Sequence, residues 1–284
     1  MASPANPKSH FHARSVSLPS RPNPLFAQAE HHLRRIRSSE AATTSSFLSV
    51  SSMISGLADF YNSIDDLLLL PHTQQAFVQE GRDEVLERSL SLLDICSTGK
   101  DVVAQTKETV QELQLTLRRR RGDELALRNE VGAYLASRKK AKKTIQNCLR
   151  NLKIKSTISS ADQSATTIVS MLREAEGVAF KTIESLLTLV RGKSASCSFF
   201  SKWMHSNQVV ADERASKSEL EIVDAAIDAL LSQKNGKASN IQMEHVRKVM
   251  AELESLIQDI EEEMECLIRR LIKTRVSLLN ILNH

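Results

Sequence analysis

An all-α fold is predicted: an elongated bundle of long antiparallel helices with coiled-coil-like 4-3 packing, behind a disordered N-terminal tail. Three observations point to it. Apolar residues recur at alternating steps of three and four through several long segments, and beyond Pro24 only Pro71 interrupts the chain. Glycine is scarce, at 8 residues, and aromatic residues make up 4% of the chain, which sheet-rich folds rarely show. Long helices consume length quickly, so 284 residues suit one folded unit. The expected organisation is a disordered basic tail over 1–22, a short basic amphipathic helix over 23–38 and a single helical-bundle domain over 46–284.

Composition narrows the setting. Cys96, Cys148, Cys197 and Cys266 are widely separated and form no C-x-x-C pair, which argues against a zinc site and against a disulfide-stapled scaffold. A reduced cytoplasmic setting is expected. No apolar run approaches the roughly 18 residues of a membrane span, and no secretory core follows Met1. The net charge of +4 is unevenly spread: residues 1–39 carry +5, residues 118–155 carry +10, and the remainder carries −11. Two basic segments on an acidic bundle suit either internal charge pairing or a basic surface offered to an anionic partner.

Residues 1–22 hold too few apolar side chains to offset the entropy of ordering. Within them Arg14, Ser15, Ser17 and Pro19 follow the R-S-x-S-x-P order of a phosphopeptide that 14-3-3 proteins grip, with phosphate on Ser17 supplying the charge. Asn23 and Pro24 form a helix start, with Leu25, Ala29, Leu33 and Ile36 on one face. Glu30 is the single acid of the first 39 residues, so an organelle transit segment is the alternative to a regulatory arm.

The bundle proper begins with Phe47, Val50, Ile54, Leu57, Tyr61, Ile64 and Leu68, a helix expected to end at Pro71. A short segment around Thr73, Gln74 and Gln75 follows. Next comes the stripe Val85, Ser89, Leu92, Cys96, Gly99, Val103, Thr106, Val110, Leu113 and Leu117. Gly99 interrupts it at a cost of about 1 kcal/mol in helix propensity, which predicts a kink or a close helix crossing. Arg118 to Gly122 closes this helix, and a partner returns along Leu127, Val131, Tyr134, Arg138, Ala141, Ile145, Cys148 and Leu152. After a loop at 156–160, Ile168 to Val190 forms a helix ending at Gly192, with a flexible link expected beyond it. Leu220, Val223, Ile227 and Leu230 mark a further helical segment.

The strongest pattern closes the chain. Val246, Met250, Leu253, Ile257, Ile260, Met264, Leu267, Leu271, Thr274, Leu278 and Ile281 form one stripe of a helix roughly 65 Å long, and only Thr274 is not apolar. Ser239, with Gln242 three residues on, makes a capping box. Seven acids lie between Glu252 and Glu265, followed by Arg269, Arg270, Lys273 and Arg275, in the order that the helix dipole favours. Ile272, Val276, Leu279 and Leu282 are apolar off the seam, so the expectation is an intramolecular core helix enclosed on several sides.

Catalytic and metal-binding signatures are sparse. Gly192-Lys193-Ser194 lacks the upstream glycine of a phosphate loop, where Leu187 stands. The histidines form no H-E-x-x-H or Glu-x-x-His pair, and no G-x-S-x-G elbow occurs. Asp65-Asp66 resembles half of a magnesium-binding D-D-x-x-D motif, but Leu69 occupies the third position, and Glu261, Glu262 and Glu265 read as a solvated face with a Glu265 to Arg269 pair. No catalytic residue, metal ligand or cofactor is therefore assigned. The run Arg138, Lys139, Lys140, Lys142 and Lys143 makes an anion- or lipid-binding candidate, with neutralisation of the acidic bundle as the simpler reading. Nucleic acid is not an expected partner, since Tyr134 is the single aromatic of that segment.

Several stretches together resemble the plant-specific BYPASS-related family, a domain of unknown function. They are His12 to Pro22, Asp65 to Leu68 with Leu70 to Gln75, Leu93-Asp94-Ile95-Cys96, Ser137-Arg138-Lys139-Lys140 and the closing Arg269 to Leu282. The resemblance covers nearly the whole chain and departs most between Ser194 and Gly236. It implies an all-helical, non-enzymatic plant protein linked to root and shoot development and to control of a root-derived signal, and it supplies no catalytic residues. The functional expectation is thus a helical interaction or regulatory protein. A peripheral membrane adaptor using the basic helix face is the alternative, and an all-α magnesium-dependent enzyme the remote one.

Overall fold

The computed structural model describes residues 23–41, 46–79, 82–119, 124–157, 167–192, 218–231 and 240–283. Among these every regular element is a helix: α1 (Pro24–Ala41), α2 (Phe47–Leu67), α3 (Pro71–Gln79), α4 (Arg82–Arg119), α5 (Glu124–Thr157), α6 (Thr167–Arg191), α7 (Glu219–Leu231) and α8 (Asn240–Asn283). The tail over 1–22, the link after Gly192 and the Ser239 cap lie outside the described residues, as do residues 158–160 of the loop expected at 156–160, whose first two residues, Ser156 and Thr157, belong to α5.

The closing helix α8 is the centre of the bundle. Its whole seam from Val246 to Leu278 is buried, and Ile281 is half-buried. α4 runs antiparallel beside it, as the cross-links show: Arg275 to Ser89 at 2.6 Å, Glu265 to Lys100 at 3.5 Å, Glu261 to Lys107 at 2.7 Å, and Glu254 to Gln111 at 2.7 Å. α2 covers the other side of the seam and α7 a third. The apolar stripe is therefore covered from within one chain, by the stripes that the periodicity had picked out in α2 and α4.

α5 and α6 pack on each other and on α4. α6 runs parallel to α4, with Arg173 bonded to Glu84 and Glu176 to Arg88. Gly99 marks the close crossing: an added Cβ would lie 3.3 Å from Met264 Cε of α8 and 3.4 Å from Ile183 Cγ2 of α6. The glycine that weakens α4 locally is what lets three helices approach there. At the end of α6, Gly192 has φ of 72°, and its N–H bonds back to Thr188 and Leu189, so the helix stops on a left-handed cap.

Three expectations need correction. Pro71 does not end α2. The helix ends at Leu67, a turn through Leu70 follows, and Pro71 opens α3 at the first helical position, where its missing N–H costs nothing. Gln74 donates to the Leu68 carbonyl at 2.9 Å and ties α3 to that turn. The basic helix set at 23–38 runs on to Ala41; Asn23 Oδ1 caps it by accepting from Leu25 N at 3.0 Å, and Ala29, Leu33 and Ile36 are buried in the common core. Finally, α8 is not enclosed off its seam throughout: Leu282 is buried and Leu279 half-buried, but Ile272 and Val276 are 48% and 50% exposed. They project from the face opposite the seam, which α2 and α4 leave open.

Candidate functional site

Asp65, the most enzyme-like residue of the sequence, faces the core. It follows Tyr61 by four residues and precedes Leu68 by three, which places it on the buried stripe of α2. Its Oδ1 accepts the Thr274 hydroxyl at 2.6 Å, and Lys273 Nζ lies 3.2 Å from Oδ2, near enough to pair as a charge although not aligned as a hydrogen bond. The one polar residue of the α8 seam and the one acid of the α2 seam thus meet. Asp66, by contrast, is exposed. Among the described residues no group of three His, Cys, Asp or Glu side chains could hold a metal ion. Glu261 and Glu265 pair with Lys107 and Lys100 of α4, and Glu265 also holds Arg269.

The cationic run of α5 divides in two. Arg138 is turned inward and is 3% exposed; its Nη1 donates to the Val190 carbonyl at 2.9 Å, and its Nε and Nη2 reach Asp224 of α7 at 3.3 and 3.1 Å. Tyr134 donates its hydroxyl to the same Asp224 at 2.9 Å, and burial together with that carboxylate pushes the phenol well above its ordinary pKa. Lys142 lies 3.7 Å from Asp224 as a looser second cation. Arg138 is therefore removed from the anion-binding set. It is the buried clamp that joins α5, α6 and α7, as its place on the apolar stripe of α5 should have signalled.

Lys139, Lys140 and Lys143 point the other way. All three are exposed, and among the described residues no carboxylate lies within ion-pair distance of them. Lys139 and Lys143 are one helical turn apart and Lys140 precedes Lys143 by three residues, so the three charges share one outer arc of about 100°; Arg150, also exposed, extends it. α7 is held beside this region at its start as well. Ser218 and Glu221 form a reciprocal capping box, and the Glu219 carboxylate accepts from Phe47 N at the start of α2.

A family model described as Protein BPS1 matches residues 53–281. The chain belongs to the BPS1 family. That bears out the BYPASS-related resemblance, and membership suggests a plant protein related to development. The BPS1 match takes in Asp65, Thr274, Arg138, Asp224 and the lysine arc, and it begins beyond α1. Neither a curated protein nor a solved structure matches the chain. No helix among the described residues is long and apolar enough to cross a membrane. The phosphopeptide motif at Arg14, Ser15, Ser17 and Pro19 lies outside the described residues.

Proposed function

We propose that this protein is a non-enzymatic interaction protein of root and shoot development and signalling that docks on an anionic membrane surface through the outer face of α5. The observation that carries this reading is the division of the cationic run. Had its role been to neutralise the acidic bundle, its lysines would meet carboxylates. Among the described residues only Arg138 and Lys142 do so, and both use Asp224. Lys139, Lys140 and Lys143 are left to solvent on a helix that packs mainly against α4 and α6.

The magnitude sets the kind of docking. A basic side chain near an anionic leaflet contributes about 1 kcal/mol, so three lysines give about 3 kcal/mol, a hundredfold preference that salt screens over a Debye length of about 8 Å. Such binding is reversible and suits an adaptor that needs a second contact to stay. The non-enzymatic part is supported by the use made of the carboxylates, since Asp65 is committed to Thr274 and Lys273. Retention on phosphoinositide-containing vesicles, compared between the native chain and a variant with Lys139, Lys140 and Lys143 changed to Ala, tests the proposal. Equal retention of the two would overturn it.

A further inference from the structure

Asp224 of α7 stands at the edge of the lysine arc and opposes it in sign. Its one negative charge meets two cations of α5. Arg138 holds it with Nη2 at 3.1 Å from Oδ2 and Nε at 3.3 Å from Oδ1, and the Tyr134 hydroxyl donates to Oδ1 at 2.9 Å. Lys142 Nζ lies 3.7 Å from Oδ2, beyond hydrogen-bond reach, and its side chain is 43% exposed. Arg138 balances the carboxylate by itself. Lys142 is therefore a surplus cation, held by a half-exposed ion pair of the kind that contributes little.

Its place on the helix gives that cation a second anion to meet. Lys142 follows Lys139 by three residues and precedes Lys143 by one, so it borders the exposed arc while its ammonium leans back towards α7. A lysine ammonium rides on a flexible four-carbon stem, so exchanging one anionic oxygen for another costs little. Arg138 has no such freedom, being buried and also committed through Nη1 to the Val190 carbonyl at 2.9 Å. We infer that Lys142 is a conditional fourth lysine of the docking surface, one that leaves Asp224 for a lipid phosphate when α5 meets an anionic leaflet. Given the α5 docking proposed above, on which this assignment rests, Asp224 becomes the regulator of that surface: it competes with the membrane for Lys142. α7 thus restrains docking, and docking loosens α7 by the same factor. One basic group at an anionic leaflet sets the size of the effect, about fivefold in partitioning.

The test measures partitioning of the full chain onto phosphoinositide-containing vesicles for the native protein, Lys142→Ala, Asp224→Asn and the two combined, beside the variant with Lys139, Lys140 and Lys143 changed to Ala. Asp224→Asn is expected to bind about fivefold tighter. Lys142→Ala should weaken binding about twofold in the native chain and about fivefold in the Asp224→Asn background, where no carboxylate competes for the lysine. Amide exchange in α7 should quicken when the native chain is vesicle-bound, and should not do so in Lys142→Ala. Circular dichroism checks that the Asp224→Asn chains stay folded; should they not, Lys142→Ala and the exchange of α7 carry the test. Native-like binding by both single variants overturns the inference, and loss of binding in the triple variant then leaves the α5 docking standing. The inference falls equally if Lys142→Ala has the same effect in both backgrounds, or if vesicles leave α7 exchange unchanged. Equal retention of the native chain and the triple variant overturns the docking and the inference with it.

Discussion

Thr274 donates its hydroxyl to the Asp65 carboxylate at 2.6 Å across 209 residues of chain, joining α8 to α2. The bond turns two apparent faults, a threonine in an apolar seam and an aspartate on a buried stripe, into one mutual solution. Thr274→Val leaves Asp65 Oδ1 without its donor and is expected to lower stability by about 1 to 3 kcal/mol. Combined with Asp65→Asn, it should show a coupling of about 0.5 to 3 kcal/mol in a double-mutant cycle measured by chemical denaturation. Strict additivity would mean that the two groups do not act together.

Because Asp65 is engaged in the fold, magnesium should not stabilise the protein. An ion bound to the native state at a hundred times its dissociation constant raises stability by about 2.7 kcal/mol. The thermal midpoint is expected to be the same in EDTA and in excess magnesium. A rise in magnesium that disappears in Asp65→Asn would revive the metal-dependent reading.

How much the sequence discloses differs between the core and its polar contacts. The α8 seam, the α2 and α4 stripes and the stop at Gly192 are local periodicities or local backbone requirements, and each can be read within a few turns of helix. The pairing of Asp65 with Thr274, or of Arg138 with Asp224 86 residues away, depends on which helices become neighbours, and 3.6-residue periodicity is silent on that. Arg138 shows the consequence. Its position on the apolar stripe is legible and so is its charge, but only the presence of α7 decides that burial wins. Ile272 and Val276 fail for the reverse reason, since apolar character off the seam says nothing about whether a neighbour arrives to cover it.

Asp224→Ala should be among the most damaging single changes, because it leaves the Arg138 guanidinium, 3% exposed, without its counter-charge. Breaking a buried pair from one side typically costs about 3 to 5 kcal/mol. Hydrogen exchange should show the loss first in α7, the helix that Asp224 anchors. Lys139→Ala, on the outer arc, is expected to leave stability within about 0.5 kcal/mol of the native value.

Two glycines should respond differently to alanine. At Gly99 the nearest atom is the mobile methyl of Met264 at 3.3 Å, so the gain of about 1 kcal/mol in helix propensity offsets the crowding and Gly99→Ala should stay within about 1 kcal/mol of the native protein. At Gly56 an added Cβ would lie 2.6 Å from Ile36 Cγ2, a branched methyl with little freedom. Gly56→Ala is expected to cost about 1 to 3 kcal/mol and to raise amide exchange selectively in α1.

Protonation gives a further handle. Burial raises the Glu176 pKa above the ordinary carboxylate value of 4.5 despite the Arg88 guanidinium bonded to it. The native state therefore holds this proton to higher pH than the unfolded chain does. Its contribution is fully present below 4.5 and is lost as pH rises through the elevated native value. Glu176→Gln should flatten that fall when stability is measured against pH. Thiol chemistry provides a parallel check: burial pushes the Cys96 thiol up to about 12, whereas Cys266 is exposed, so a thiol reagent near pH 8 should label Cys266 first and Cys96 only on unfolding.

Vesicle binding against salt addresses the functional reading most directly. Partitioning of the native chain onto phosphoinositide-containing vesicles is measured at about 0.05 and 0.3 M salt, beside the variant with Lys139, Lys140 and Lys143 changed to Ala and a control with Lys248→Ala on α8. The account predicts strong retention at low salt that falls steeply at high salt, a loss of about a hundredfold in the triple variant, and no change in the control. Retention that is insensitive to salt, or equal in the native chain and the triple variant, would contradict it.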